Sequence, residues 1–300
     1  MFDAIATLDC NGRALKLDQP RICAILNLTD DSFSGDGLRG DVDAAVTQGL
    51  AMVEQGADML DIGAESTRPG AQPVGVDDQI ARVVPVIETL VKRVEVPVSI
   101  DTSSPDVMRA AVAAGAGFIN DVYALRREGA LDTAAELKVP VCLMHMQGEP
   151  GTMQDDPRYD DVVGEVHRFL AERIFASEMA GIDKRRILVD PGFGFGKTLE
   201  HNLALLRAIP RFRDLAAGVL VGASRKAMIG KITAREGGAA RAAGSAAAAL
   251  IAVQRGAMVV RVHDVAATRD ALAVWQAVHA GDAPEKKAEK PFGSQRFGDD

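Results

Sequence analysis

Four polar residues could together hold a flat heterocycle that carries both hydrogen-bond donors and acceptors. A carboxylate matches two parallel N–H groups on a guanidine-like edge, an amide both donates and accepts, and an ammonium donates. Nothing in the set resembles an activated nucleophile beside a base, so the set favours group transfer between bound substrates over covalent catalysis. The four residues, each at or shortly after the end of an apolar run, are Asp101, Asn120, Asp190 and Lys226.

A second set of residues offers the neutral and cationic donors that suit phosphate oxygens. Its members are Asn27, Thr67, Arg68, Arg261 and His263. Single residues of this kind have plainer explanations: an aspartate at a strand end is often an N-cap, His145 between two methionines is typical of a packed loop, and Arg225 could form a salt bridge. The two sets combine carboxylates, amides, a hydroxyl and cations. Independent helix caps and salt bridges would rarely select such different residue types, so the two sets together favour a binding site.

The stretch Ile187–Thr198 combines an apolar run, an acid and a glycine-rich turn. The run predicts a buried strand, Pro191 ends its pairing, and alternating glycines let the backbone turn sharply and approach a ligand. A phosphate-binding loop is disfavoured because the position five before Gly196 is proline, and the glycine spacing does not match the dinucleotide fingerprint. The plainer alternative is a loop with Thr198 as an N-cap.

Eight apolar runs alternate with amphipathic helical stretches, which predicts strand–helix units and a parallel sheet. Their spacing of about 33 residues is close to the roughly 30 that such a unit takes. The sequence therefore predicts an α/β fold, a single TIM (β/α)8 barrel domain at residues 1–280, whose loops after the strands share one face and carry the site. The predicted strands are Ile22–Asn27, Met59–Ile62, Val98–Asp101, Phe118–Asp121, Val141–Met144, Ile187–Asp190, Gly218–Val221 and Met258–Val262.

An N-terminal β-hairpin is predicted at Thr7–Leu17, because Asn-Gly at its centre favours a two-residue type I′ turn. We expect it to cap one end of the barrel core. Among the helices, one is expected to start at Pro105 and stop at Gly115, and the longest is expected at 160–181.

Two other segments stand out by composition. The small side chains of 239–253 can pack closely against a neighbour, either within the chain or in a second subunit. The charged, proline- and glycine-containing stretch 281–300 is predicted to be a disordered tail.

Composition excludes several classes of protein. With 300 residues and a net charge of −8, the chain lacks the basic surface expected of a nucleic-acid-binding protein. It shows neither a signal-peptide pattern nor an apolar run long enough to span a membrane. Its three cysteines have no C-x-x-C spacing, so we expect neither disulfides nor a zinc site. These features predict a cytoplasmic protein without nucleic-acid or membrane partners.

Eight blocks in order give the sequence a resemblance to a known family. They are ILNLTDDSFSGDG, DIGAESTRPGA, SIDTSSPDV, INDVYAL, LMHMQGEPGTMQ, ILVDPGFGFGKT, VLVGASRKAMIGK and VVRVHDV. Over about residues 20 to 280 the chain resembles the dihydropteroate synthases. The resemblance implies a transferase that condenses 6-hydroxymethyl-7,8-dihydropterin diphosphate with 4-aminobenzoate to 7,8-dihydropteroate and diphosphate in folate synthesis. It also implies Mg²⁺ and a homodimer.

The resemblance assigns roles by motif. Asp101, Asn120, Asp190 and Lys226 would hold the pterin. Asn27 would bind Mg²⁺ or the diphosphate beside it, and Thr67, Arg68, Arg261 and His263 would bind the diphosphate. The aminobenzoate would be bordered by Arg68, Pro69, Phe195 and Ser224. The residues expected to carry catalysis are Asp101, Asp190, Lys226 and Arg261.

One departure from the family pattern keeps a first alternative open. The family's first loop usually runs T-P-D-S-F, but Asp30 stands in place of the proline and SGDG replaces the usual SDGG, which puts loop closure and metal affinity in doubt. A non-catalytic paralogue that binds pterin is therefore one alternative. A pterin-dependent methyltransferase of the same superfamily is another, although it would not need the S-T-R and S-R-K blocks.

Overall fold

A closed barrel of eight parallel strands forms the centre of the protein. The computed structural model describes residues 6–29, 41–65 and 74–280. After a hairpin of β1 (Thr7–Cys10) and β2 (Arg13–Lys16), the barrel strands are β3 (Arg21–Asn27), β4 (Met59–Gly63), β5 (Val98–Asp101), β6 (Phe118–Asp121), β7 (Val141–Met144), β8 (Ile187–Asp190), β9 (Gly218–Val221) and β10 (Val259–Val262). They pair in chain order, and β10 closes on β3.

The predicted TIM barrel is therefore confirmed, and the strand bounds differ by one residue at most. Strand β3 starts at Arg21, β4 continues to Gly63, and β10 starts at Val259 rather than Met258. The barrel strands are buried along almost their whole length, as expected for parallel strands that are covered on both faces and read as continuous apolar runs.

Helices surround the barrel. They are α1 (Val42–Glu54), α2 (Val76–Leu90), α3 (Pro105–Ala113), α4 (Ala130–Leu137), α5 (Val162–Met179), α6 (Leu199–Arg207), α7 (Ala227–Thr233), α8 (Ala242–Gln254) and α9 (Val265–Ala280). As predicted, Pro105 opens α3, and Gly115 follows its end at a φ of +110°. The longest helix in the described part of the chain is α5, inside the predicted range. None of the helices described is long and apolar enough to cross a membrane.

The hairpin covers the end of the barrel that lies opposite the loops after the strands. Its turn is formed by Asn11 and Gly12, whose φ values of 56° and 81° are those of a type I′ turn. Leu8 and Leu15 pack in one buried cluster with side chains near the starts of the barrel strands, such as Phe118. The predicted hairpin and its capping role are both confirmed.

Replacing Gly117 with alanine is expected to destabilise the protein through this hairpin. A methyl group there would overlap the backbone carbonyl of Cys10, so the hairpin or β6 must shift. We expect the free energy of unfolding to fall by about 2 kcal/mol, as for other overpacked sites. Urea denaturation measures this, and Gly151→Ala is the matched control because a methyl group at Gly151 meets no atom within 4 Å. Equal unfolding midpoints for both variants would contradict the prediction.

The small-sided segment has a neighbour within the chain. Helix α8 packs against α9, and its buried residues include Ser245, Ala248 and Ala252. The predicted packing against a neighbour within the chain is therefore confirmed, while an additional role in a subunit interface stays a prediction.

Several predictions concern residues outside the described ranges. They are the tail at 281–300, the substituted loop position Asp30, and the site residues Thr67, Arg68 and Pro69. The division into a single domain at 1–280 and a tail stays a prediction.

Candidate functional site

A cavity of about 640 Å³ opens where the loops follow the barrel strands. This volume lies within the 300–1,000 Å³ of typical small-molecule sites. Seven residues predicted from the sequence line it, namely Asn27, Asp101, Phe195, Ser224, Lys226, Arg261 and His263. Two further predicted residues do not line it themselves: Asn120 is joined to Arg261 through Asp61, and Asp190 interacts with Lys226. Strands and loops separated by more than 200 residues in the sequence thus contribute to one site.

An ion-paired network forms one wall. Arg261 on β10 donates from Nε to Asp61 Oδ2 at 2.5 Å and from Nη2 to Asp101 Oδ2 at 2.6 Å. Burial alone would lower the pKa of the guanidinium, but the two carboxylates raise it above its ordinary value. Arg261 is therefore a fixed cation held between β4 and β5.

Asp61 is the buried centre of this network, with a side chain only 1% exposed. Ser99 Oγ donates to its Oδ1 at 2.6 Å, and Asn120 Nδ2 donates to its Oδ2 at 3.1 Å. The second bond directs the amide NH₂ of Asn120 toward Asp61, which leaves the amide oxygen as an acceptor for a ligand. The sequence placed Asp61 at a strand end but gave it no role; a carboxylate inside an otherwise apolar strand was the signal.

Asp190 lies at the end of β8, 4% exposed. Its Oδ1 accepts the backbone N–H of Gly192 at 2.7 Å, which fixes the carboxylate. A methyl group at Gly222 would lie 3.6 Å from Asp190 Oδ2 and 3.9 Å from Arg261 Cβ, so both side chains approach the same glycine. Burial raises the pKa of Asp190, and Lys226 opposes that shift. The carboxylate and the lysine thus act on each other across the floor of the site.

The loop after β8 presents Phe195 to the cavity. Its ring packs against the methionine cluster of Met144, Met146 and Met153, and Lys226 Nζ lies 4.4 Å from the ring centroid. Lys226 Nζ also donates to the backbone carbonyl of Phe193. The predicted N-cap of the following helix is present, since Thr198 accepts from His201 in a capping box.

The residues predicted to bind phosphate occupy the same cavity where the structure describes them. Asn27 ends β3, and His263 follows β10 with its Nδ1 3.0 Å from Ser224 Oγ. This contact joins His263, which is predicted to bind diphosphate, to Ser224, which is predicted to border the aminobenzoate. These binding roles stay predictions.

Three strand-end residues have the plainer roles that were weighed against function. Asp121 accepts the backbone N–H groups of Tyr123 and Leu125 and so caps a turn. Arg225 forms a salt bridge with Asp264 at 2.6 Å. His145 packs edge-on against Phe169, and burial together with Lys197 lowers its pKa to about 2. A histidine with that pKa is neutral at physiological pH and suited to accepting a hydrogen bond.

Two groups in the site predict a bell-shaped pH profile. Burial raises the pKa of Asp101 to about 7 against the opposing effect of Arg261, so the carboxylate is ionised above that pH. Burial lowers the pKa of Lys226 to about 8, so the ammonium is lost above that pH. If ligand binding needs both charges, kcat/KM should be greatest between about pH 7 and 8.

Variants assign the two limbs of that profile. Asp101→Asn should remove the acidic limb and Lys226→Arg the alkaline limb, each with a lower maximum. Limbs that persist unchanged in both variants would belong to the substrates and would contradict the assignment.

Comparison with known proteins adds independent findings. Residues 23–263 match the family model described as pterin binding enzyme. The chain is 47% identical to the Escherichia coli (strain K12) dihydropteroate synthase over 270 residues, 90% of this chain and 95% of that protein.

Solved structures are similar throughout. A Xanthomonas albilineans dihydropteroate synthase with 4-aminobenzoic acid is 61% identical, with a TM-score of 0.87 over 92% of this chain and 99% of the other. A Burkholderia cenocepacia dihydropteroate synthase complexed with 7,8-dihydropteroate is 47% identical, with a TM-score of 0.83 over 92% of this chain and 98% of the other.

Proposed function

Because the chain belongs to the dihydropteroate synthase family of pterin-binding enzymes, we propose that it condenses 6-hydroxymethyl-7,8-dihydropterin diphosphate with 4-aminobenzoate. The products are 7,8-dihydropteroate and diphosphate. One observation supports this most strongly: Asp101, Phe195, Lys226 and Arg261 line one cavity. The buried Asp61 and Asn120 join it by hydrogen bonds through Arg261, and Asp190 interacts with Lys226. A heterocycle, an anion and an aromatic ring can therefore be held side by side.

The chemistry suits these side chains. The arylamine nitrogen is neutral at pH 7 and attacks the pterin methylene carbon, while the carbon–oxygen bond to diphosphate breaks and the new amine loses a proton. No strong base is needed, because the slow event is departure of the diphosphate. The buried carboxylate of Asp190 supports positive charge that develops in the pterin, and the cationic side chain of Arg261 stabilises the departing anion.

Mg²⁺ is part of the proposal, with Asn27 as its protein ligand. The described residues contain no group of three His, Cys, Asp or Glu side chains that could hold a metal by themselves. Mg²⁺ usually takes one or two protein ligands together with substrate phosphates and water, so a single ligand such as Asn27 is compatible with it. When bound, the ion would neutralise charge on the diphosphate. The amide oxygen of Asn27, on the cavity wall, fits such a shared site.

We also propose a cytoplasmic homodimer. Val274 and Val278 on α9 are 67% and 72% exposed, and Ile251 on the adjacent α8 is 41% exposed, so an apolar surface is available for a second subunit. The three cysteines are buried free thiols, which suits a reducing compartment. Light scattering of the purified protein and of Val274→Glu tests the dimer.

Release of diphosphate tests the activity. Purified protein with both substrates and Mg²⁺ should release diphosphate and form 7,8-dihydropteroate in equal amounts. Leaving out either substrate should stop both. Tight pterin binding without release of diphosphate would instead support the non-catalytic paralogue. Asp30, which stands where the family usually has proline, is the reason to test that alternative.

A further inference from the structure

Lys197 is a buried lysine that the proposed chemistry does not use. Its side chain lies in the loop after β8 and is 3% exposed. Its Nζ lies 2.9 Å from His145 Nδ1, 2.9 Å from the Phe195 carbonyl oxygen and 3.4 Å from the His145 carbonyl oxygen. The ammonium thus has acceptors on two loops, one after β7 and one after β8.

The two loops are locked together at backbone distance. His145 donates its N–H to the Asp190 carbonyl at 3.0 Å. Methyl groups at Gly192 and Gly196 would overlap the carbonyls of His145 and Gln147, so only glycine allows this approach. Lys197 Nζ makes side-chain hydrogen bonds to both loops at this junction.

Each carbonyl of the turn 193–196 has its own donor. The Phe193 carbonyl accepts from Lys226, the Gly194 carbonyl from Gln154, the Phe195 carbonyl from Lys197, and the Gly196 carbonyl from Tyr159. Among these bonds, the one from Lys197 fixes the residue whose ring faces the cavity.

We propose that Lys197 is a positioning residue that holds Phe195 in place for the aromatic amine substrate. This inference rests on the proposed function, in which Phe195 borders 4-aminobenzoate. Phe195 is half-buried and lines the cavity, and it packs with the methionine cluster and beneath Lys226. A small rotation of the peptide at Phe195 would therefore move the ring, and the bond from Lys197 opposes that rotation.

The chemistry of Lys197 supports a structural contact rather than a contact with substrate. Burial lowers its pKa well below the ordinary value, with Asp190 opposing the shift. The neutral His145 ring accepts through Nδ1, so the pair keeps its hydrogen bond without a second charge. Lys197 lines the cavity, but its Nζ is already engaged by three acceptors, which leaves it little freedom to bind a ligand as well.

Removing the ammonium should affect one substrate selectively. In Lys197→Met we expect KM for 4-aminobenzoate to rise roughly tenfold, the size of effect for one lost hydrogen bond to a charged group. KM for the pterin diphosphate should stay within about twofold, because Asp190, Asn120 and Lys226 keep their contacts. Lys197→Gln, which keeps an N–H donor, should show a smaller rise and serves as the variant to compare if Lys197→Met does not fold.

A double-mutant cycle tests whether the effect acts through Phe195. In a Phe195→Ala background, Lys197→Met should add less than about twofold to KM for 4-aminobenzoate, since the ring to be positioned is gone. Tyr159→Phe is the matched control: it removes the donor to the neighbouring Gly196 carbonyl and should leave that KM nearly unchanged.

The outcomes separate this inference from the proposed function. Equal increases in both KM values, or full additivity with Phe195→Ala, would overturn the positioning role while turnover remains. Absence of turnover in the unaltered chain would overturn the proposed function, and this inference with it.

Discussion

Asp190→Asn is expected to abolish measurable pterin binding. The carboxylate is buried, accepts the N–H of Gly192 and interacts electrostatically with Lys226, which lines the cavity. A guanidine-like edge offers two parallel N–H groups, and an amide can accept from only one of them while its NH₂ opposes the other. Hydrogen bonds to a charged group contribute about 1.5–3 kcal/mol each. We therefore expect affinity for 6-hydroxymethyl-7,8-dihydropterin to fall at least about 100-fold, as measured by titration calorimetry.

The variant also carries its own control for folding. The asparagine Oδ1 can still accept the Gly192 N–H, so the loop after β8 should keep its shape and the unfolding midpoint should change little. Undiminished pterin affinity in a folded Asp190→Asn protein would show that the heterocycle is bound elsewhere.

Arg261→Met is expected to weaken both the fold and the binding of the diphosphate ester. The substitution leaves Asp61 and Asp101 without their shared cation, and Asp61 is almost fully buried. Breaking a buried pair from one side costs about 3 kcal/mol or more, which urea denaturation at pH 8 should detect. We also expect affinity for the diphosphate ester to fall more than affinity for the free pterin alcohol. Equal losses for the two ligands would contradict a diphosphate role for Arg261.

The pH dependence of that stability loss has a definite sign. The pKa of Asp101 is already raised to about 7 with Arg261 present, and removing the cation raises it further. Asp101 then keeps its proton in the folded state at pH values where the unfolded state has already lost it. A raised folded pKa contributes stability that is present at low pH and is lost as the pH rises through that pKa. The loss in Arg261→Met should therefore be smaller at pH 5 than at pH 8.

Arg269→Met is the matched control for charge. Arg269 pairs with Asp58 at 2.6 Å, and both are more exposed than Asp61. Asp58 precedes β4, so the pair lies away from the loops that form the cavity. We expect a smaller loss of stability and no change in affinity for either ligand.

Much of the fold followed from local patterns. Eight apolar runs of β-branched and aliphatic residues sit where eight buried strands form, and Asn-Gly specifies the hairpin turn because both positions adopt positive φ. The barrel in turn predicts which end carries the site, because parallel strands joined by helices place all their carboxyl ends, and the loops that follow them, on one face. Several of the predicted site residues therefore line one cavity for a topological reason.

The pairing inside the site could not be predicted in this way. Arg261 was assigned to diphosphate by its motif, but its guanidinium bonds to Asp61 and Asp101, 200 and 160 residues away. Lys197 follows the glycine turn and received no role from the sequence, but it is buried against His145. Such partners depend on strand register and side-chain direction, which periodicity does not specify.

One cavity is proposed to hold pterin, diphosphate and aminobenzoate in adjoining subsites. A crystal structure of this protein with 7,8-dihydropteroate tests it most directly. The pteridine should lie with its guanidine-like edge on Asp190 and its ring beside Asn120 and Lys226, and the benzoate should lie against Phe195. A product bound outside this cavity, or reversed so that the benzoate lies on Asp190, would contradict the account.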